Sequence, residues 1–503
     1  MKYLNKHIVR LLLMALIVLP ATTSCYDYHN QELAEDSKDV AQYINVTISV
    51  SAGTGADTRG PLGGEYGDGV EMGLDRENKV NNITLIFYQD PDDPTAASTT
   101  INTTSDNAKV VCVKKYQVHE PLDGELPATH TANEVYYTTG RQRLSETSLE
   151  IGKTYKVLVV ANTDVAVSVG DKIKDVRNKV ATSIYTGTGI GTIASDFVMT
   201  SECDATVTLS NPTIDTSTGE NRFIYYFDCI HIERLAARID FWAKNATYTT
   251  EYDHNGYLYN ISATDRFVLT SITPFNLNIG AGNEYLFKRV QDGWTSDAST
   301  TYLGDESTTN WVVDPYTSGK TSSAHPVWMA SSLTTVESSL ANLYNITMEG
   351  SQNDKLTEQG YDDIIIAYPR ENTLLPSSPL YYYATGLAFE GYYYANGAKT
   401  GGEHRVYYHY LRHQGEEESS KYKALRSPLD KTVVCGDSPA MKYGVVRNNI
   451  YRVDISSITP DDKLILNIKV KKWDKFDSLF RMGCVDEEQR QYLRGWRFVH
   501  SYC

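Results

Sequence analysis

Apolar and polar positions alternate along much of this chain with a period of two. Residues 43–50 read YINVTISV, with Ile44, Val46, Ile48 and Val50 on one face and Asn45, Thr47 and Ser49 on the other. Successive strand residues point to opposite sides, so the pattern predicts a half-buried strand. The same signal recurs at 80–88 (VNNITLIFY), 109–118 (KVVCVKKYQV) and 205–209 (ATVTL). Residues 153–161 (KTYKVLVVA) end in a continuous apolar run, as expected of a strand covered on both faces. Further strands are predicted over 223–232, 237–242, 267–272, 363–368, 380–389, 405–411, 449–455 and 464–470. Turn-rich pieces such as Asp253-His254-Asn255-Gly256 and Asn396-Gly397 separate them. Helical periodicity is sparse, with short helices predicted within 164–180 and 334–343. Many short strands with few helices predict an all-β protein built of β-sandwiches. No fixed-period repeat points to a propeller or solenoid.

The length, 503 residues with 41% hydrophobic, suits two or three domains with real cores. A boundary is placed near residue 230, where a second series of strands begins. The formal charge of −16 argues against a nucleic-acid binder, which needs a basic face for phosphates. Tyrosine is in excess, 37 against 12 Phe, and clusters at Tyr136-Tyr137, Tyr225-Tyr226, Tyr381-Tyr382-Tyr383, Tyr392-Tyr393-Tyr394 and Tyr407-Tyr408. A pair of neighbours in a strand puts one ring inward and one outward. Sandwich packing with wet outer faces is one reading, and an aromatic surface for subunit or ligand contact is the other.

The first 25 residues read as an export signal. Lys2, Lys6 and Arg10 precede the apolar run Leu11–Leu19, and Ala21-Thr22-Thr23-Ser24 leads to Cys25. The run is too short to span a bilayer permanently. Small residues ending at a cysteine resemble a bacterial lipobox, with Thr22 where that pattern usually has Leu. Cys25 is then the lipidated N-terminus, an anchor that needs no transmembrane helix. The other reading is an ordinary signal peptide with an incidental cysteine. Losing residues 1–24 takes the formal charge from −16 to −19, since three cationic and no acidic residues leave.

Residues 26–42 are polar and acidic and read as a tether. Residues 51–69 are Gly-rich and read as a loop. Arg59 stands there as the sole basic residue between Lys38 and Arg76, a suitable target for an Arg-specific protease cutting before Gly60.

Searching for catalytic or metal chemistry returns little. Walker, HExxH, GxSxG and EF-hand patterns are missing. Gly187-Thr188-Gly189-Ile190-Gly191 lacks the context of a nucleotide loop and reads as a turn. Asp90-Pro91-Asp92-Asp93 reads as a solvated turn rather than a calcium loop. His409 and His413 have helical spacing, but VYYHYL is strand-like, which separates them and leaves His404, His409 and His413 a poor ligand set. The seven cysteines are widely and irregularly spaced, which predicts neither zinc nor a defined disulfide; Cys112, Cys203 and Cys229 read as buried thiols. No cofactor and no enzyme activity are expected, although a carboxylate pair would leave no sequence signature.

Several segments together resemble the fimbrillin family, the subunits of type V pili, and most nearly the structural subunit of short (minor) fimbriae. They are the lipobox at Cys25, and the Arg59 loop running into GGEYGDGVEMG (63–73) and ENKVNNIT (77–84). TYKVLVVAN (154–162), FVMT (197–200), HIERLAARID (231–240) and YPREN (368–372) follow. YGVVRNNIY (443–451) and LILNIKVKKW (464–473) complete the series. The resemblance implies two tandem transthyretin-like β-sandwich domains, here 60–230 and 231–477, after a signal at 1–24 and a lipidated segment at 25–59. It implies export to the outer membrane, cleavage after Arg59 by a surface Arg-specific protease, and release of the strand carrying Ile44, Val46, Ile48 and Val50. That strand would be a cover on a sheet edge, and a neighbouring subunit's strand would replace it. The implied donor carries Leu464, Leu466, Ile468 and Val470. Partners would be other copies, related fimbrial subunits, the protease and the membrane, with the adhesion ligand unidentified and no nucleic acid. A tip or anchor subunit, or a surface lipoprotein binding glycans through tyrosine, are the alternatives. Family members commonly end soon after the Trp-Asp pair, whereas this chain continues through 478–503.

Overall fold

The computed structural model describes residues 41–50, 70–72, 74–89, 108–122, 135–177, 179–187, 194–201, 204–217, 219, 221–243, 246–275, 277, 284–287, 346–347, 363–373, 385–411, 422–423, 444–445, 447–459 and 463–474. Cys25, Arg59, Gly60, Asp90–Asp93, Cys203, Tyr381–Tyr383, His413, the helix expected within 334–343 and the 478–503 extension lie outside the described residues.

The expected all-β class is borne out. Among the described residues the helices are short, Asp75–Asn78 and Ile173–Arg177, with one 3-10 turn at Leu144–Glu146. The helical pattern over 164–180 therefore yields barely more than one turn.

The first sheet uses residues before 235. Its strands lie in the order Lys109–Gln117, Asn82–Gln89, Thr154–Ala161, Met199–Ser201, Arg222–Arg234, Gln42–Val50 and Val135–Thr138. The sheet curls onto itself. Phe87 and Phe227 sit on strands well apart in that order, yet their rings meet edge-on at 6.0 Å. Just past the end of Lys109–Gln117, His119 exchanges backbone hydrogen bonds of 3.1 and 2.9 Å with Thr138 of the last strand in the path. The apolar side chains of 83–87 and 157–161 are almost wholly excluded from water, so both faces of these strands are covered.

Two further sheets lie face to face. One has the order Asp363–Ala367, Arg238–Trp242, Asn449–Thr459, Lys463–Asp474 and Val70–Met72. The other has the order Thr247–Thr249, Gly256–Asn260, Arg266–Phe275, Gly386–Tyr394 and Glu403–Tyr410. Phe241 from the first and Phe389 from the second approach to 6.1 Å between ring centroids. The strand expected over 380–389 is shifted toward the C-terminus and takes in Tyr392–Tyr394. Gly391 permits a close approach there: a Cβ would lie 2.3 Å from the Val268 carbonyl oxygen and 2.5 Å from the Phe267 ring. The chain crosses between systems at 235–237, and Arg222–Arg234 runs unbroken through position 230.

The tyrosine pairs follow two rules. Tyr225 is buried and Tyr226 half-buried, the expected inward and outward pair. Tyr136 and Tyr137, and Tyr407 and Tyr408, are buried together, because their strands are covered on both faces. Cys112 is a buried free thiol, as expected, while Cys229 is half-buried.

Ile48 is completely buried in the curled sheet. Truncation there leaves a cavity that neighbouring strands cannot collapse into. Ile48→Ala is expected to cost about 2–5 kcal/mol, read as a lower urea midpoint in equilibrium unfolding of the intact chain.

Candidate assembly site

The first strand, Gln42–Val50, differs from its expected form. It is an interior strand and not a cover on an edge. On one side it runs parallel to Arg222–Arg234, with Ile44 opposite Tyr225, Val46 opposite Phe227, Ile48 opposite Ile230 and Val50 opposite Ile232. An extra residue on the longer strand between Phe227 and Ile230 makes a bulge. On the other side it is antiparallel to Val135–Thr138 and to Gln142–Arg143. Thr139 locks the register: its Oγ1 accepts from the Val46 amide at 3.1 Å, and its amide donates to the Val46 carbonyl at 3.0 Å.

Both faces of this strand are covered. Ile44, Val46, Ile48 and Val50 enter the hydrophobic core, as their spacing requires. Asn45, Thr47 and Ser49, expected on a wet face, are 0–1% exposed. Two of them find polar partners. Thr138 Oγ1 donates to Asn45 Oδ1 at 2.6 Å, and Ser49 Oγ lies 2.7 Å from His231 Nδ1. The Thr47 hydroxyl is buried and makes no hydrogen bond. Sequence alternation alone cannot separate a strand with one wet face from one with small polar residues turned into a closed interior.

The candidate donor segment is also engaged. Lys463–Asp474 pairs antiparallel with Asn449–Thr459 along its length, and its end, Lys472–Asp474, pairs in parallel with Val70–Met72. Leu464 and Leu466 are fully buried, Ile468 is half-buried, and Val470 pairs with Tyr451 in the strand. The segment just beyond the expected cleavage loop thus holds the far end of the last strand.

A buried ionic junction joins the helix Asp75–Asn78 to the end of Arg222–Arg234 and to the start of Arg238–Trp242. Glu77, in the helix Asp75–Asn78, accepts from its own Leu74 amide at 2.7 Å, from Arg238 Nη1 at 2.9 Å and from the Tyr368 hydroxyl. Arg238 also grips Asp240, with Nε 2.9 Å from Oδ1 and Nη2 2.6 Å from Oδ2. Arg234, at the end of the strand Arg222–Arg234, donates to the Glu77 carbonyl at 2.9 Å, to Asn448 Oδ1 at 2.9 Å and to Asn78 Oδ1. Tyr137, opposite Ile48, donates from its hydroxyl to the Asn78 carbonyl at 3.3 Å. Close by, Arg447 binds Glu371 at 2.9 Å and the Leu286 and Tyr285 carbonyls at 2.8 and 2.7 Å. Burial alone would lower the Arg238 pKa, but Asp240 and Glu77 outweigh it and hold the guanidinium well above its ordinary value. Burial, reinforced by Glu77, pushes the Tyr368 phenol well up, so it stays a neutral donor.

HIERLAARID carried part of the family resemblance, but the role of its charges was not legible. The available signal was Arg238 and Asp240 two apart in a strand flanked by Ile239, Phe241 and Trp242, which sets both charges on one buried face.

Elsewhere, His404 and His409 fall on opposite faces of Glu403–Tyr410. His404 is exposed, 2.8 Å from Glu390, and His409 is buried. Among the described residues no cluster of three or more His, Cys, Asp or Glu could hold a metal ion.

With this geometry in view, residues 43–234 match the family model of the major fimbrial subunit protein, FimA. The resemblance to fimbrillins is borne out over that stretch. It takes in the first strand, its slot and Arg234, and the matched family is one of structural subunits rather than enzymes. Among solved structures, a putative cell adhesion protein of Parabacteroides distasonis aligns at 14% identity and TM-score 0.41, over 86% of this chain and 100% of that one. The tip fimbrial protein Mfa3 of Porphyromonas gingivalis, truncated at its C-terminus, aligns at 10% identity and TM-score 0.38, over 86% and 99%. A fimbrilin of Porphyromonas gingivalis aligns at 12% identity and TM-score 0.37, over 88% and 99%. No curated protein matches the sequence.

Breaking the junction on one side leaves buried charge uncompensated. Glu77→Gln is expected to cost about 3–5 kcal/mol. Tyr368→Phe, which removes one hydrogen bond to a charged group, should cost about 1.5–3 kcal/mol. Urea titrations followed by tyrosine fluorescence check both, and equal losses would contradict the assignment of Glu77 as the centre.

Proposed function

We propose that this chain is a structural subunit of a cell-surface fimbria that polymerises by strand exchange. It is exported as a lipoprotein anchored through Cys25 to the outer membrane. A surface protease cuts between Arg59 and Gly60, and the segment carrying Ile44, Val46, Ile48 and Val50 leaves. A strand from a neighbouring copy or a related subunit takes its place, with Leu464, Leu466, Ile468 and Val470 as this chain's donor residues. The body consists of two sandwich domains, 60–230 and 231–477, and the polymer supports adhesion.

One observation carries this reading: an N-terminal strand is buried on both faces between two strands that are not its neighbours in sequence. No hairpin ties it to either partner. Its link to the rest of the described fold runs through 51–69, so a single cut there makes it a separate, noncovalent segment. At about 3.3 Å per residue its departure opens a slot nearly 30 Å long, lined by backbone donors and acceptors and by core side chains. Such a slot strongly favours refilling by another strand, and a head-to-tail contact of that kind propagates as a filament.

The glycan-binding alternative is less favoured. Tyr394 is buried with its hydroxyl on Asp253, Tyr392 is stacked at 3.4 Å on His254, and Tyr393 carries Arg405 at 3.7 Å. The ring faces a sugar would need are already in use.

Treatment of the mature chain with an Arg-specific protease is expected to give a new N-terminus at Gly60 and a ladder of oligomers that survives SDS without heating. Arg59→Ala should abolish both. Mass spectrometry and gel electrophoresis read the result, and cleaved protein that stays monomeric at high concentration would sink the proposal.

A further inference from the structure

The slot is selective in a way that the alternation of large apolar residues does not reveal. We propose that it recognises a strand whose small alternate residues are uncharged, and that the resident first strand is a deliberately imperfect occupant because of Thr47. The inference rests on the strand-exchange reading above and adds to it the chemistry of the incoming strand.

The core face of the slot takes Ile44, Val46, Ile48 and Val50, a demand any amphipathic strand could meet. The opposite face is closed too. Asn45, Thr47 and Ser49 are as buried as the isoleucines, with Thr138 against Asn45 and His231 against Ser49. A lysine at position 47, in the middle of this closed face, would bury an ammonium group. That costs several kcal/mol unless an acid compensates it. The polar face therefore acts as a filter on donor strands.

Thr47 sets the direction of exchange. Its hydroxyl is wholly buried and has no hydrogen-bond partner, while its neighbours Asn45 and Ser49 are both satisfied. A buried, unsatisfied hydroxyl penalises the strand that carries it. Valine has the same shape without that group. A donor with valine at this position keeps the backbone ladder and the packing and loses the penalty, so it outcompetes the resident strand. This chain's own candidate donor keeps its alternate positions uncharged at Ile465 and Asn467, while Lys469 and Lys471 must lie beyond the closed positions 45–49.

The test uses the full mature chain cut after Arg59, with fluorescent peptides of residues 42–50 competing for the slot. The native peptide should exchange with the resident segment at parity. The Thr47→Val peptide should bind about 5- to 150-fold more tightly, the range that corresponds to one buried unsatisfied hydroxyl. The Thr47→Lys peptide should show no binding. In parallel, Thr47→Val in the uncut chain should raise the urea midpoint and slow oligomer growth after cleavage. If the native peptide exchanges but the valine peptide binds no better, or the lysine peptide binds as well, the selectivity proposal is wrong while strand exchange stands. If no peptide exchanges and the cut protein stays monomeric, strand exchange itself fails, and a midpoint lowered by Thr47→Val would separately refute the role given to Thr47.

Discussion

The described architecture depends on the backbone pairing of the first strand. Residues 42–50 supply an interior member of a curled sheet, hydrogen-bonded in parallel to Arg222–Arg234 and antiparallel to Val135–Thr138. Without it, those two strands present unpaired edges to each other across an apolar gap, and unpaired buried backbone groups are costly. The sheet therefore requires some strand at that place. Among the described residues, backbone pairing and side-chain packing are what hold it there.

The ionic junction complements this arrangement. Glu77, Arg234, Arg238, Asp240 and Tyr368 are all buried, and their hydrogen bonds run from the slot-forming strand to the strands after residue 238. Burying so many charges costs desolvation, and the return is geometric: Asp240, on the same strand, holds the Arg238 guanidinium in a fork while its remaining nitrogen reaches Glu77 on the short helix. Arg234 and Tyr137 both end on the same short helix, one on the Asn78 side chain and the other on its carbonyl. The two strands that flank the first strand and the crossing point of the chain thus share an anchor.

Tyrosine usage fits a fold whose strands are mostly covered twice. Tyr368, Tyr407 and Tyr451 are fully buried, where a phenol offers a large apolar body with one polar atom to place. Among the described residues, tyrosine is thus largely an interior residue. The acidic charge of the chain needs no cationic partner to explain it and is consistent with solubility of the unassembled subunit.

Several features were legible in the sequence for a simple physical reason. Period-two alternation reports strand conformation directly, so the strands at 82–89, 109–117, 154–161 and 449–459 appear near their expected places. The core positions of the first strand, Ile44, Val46, Ile48 and Val50, were likewise set by local pattern, since side chains two apart share a face. What lies over the opposite face is a nonlocal fact. Asn45, Thr47 and Ser49 look solvent-facing in the sequence, yet all three are buried, and the partners of Asn45 and Ser49 are Thr138 and His231, close to a hundred or more residues away. The same holds for the parallel neighbour at 222–234 and for the joining of Glu77 to Arg238. The sequence by itself determined which residues form strands and which side chains seek a core. The tertiary structure decided which strand stands beside which, and so whether a polar residue meets water or a closed interior, because pairing register and burial arise between segments that carry no local record of each other.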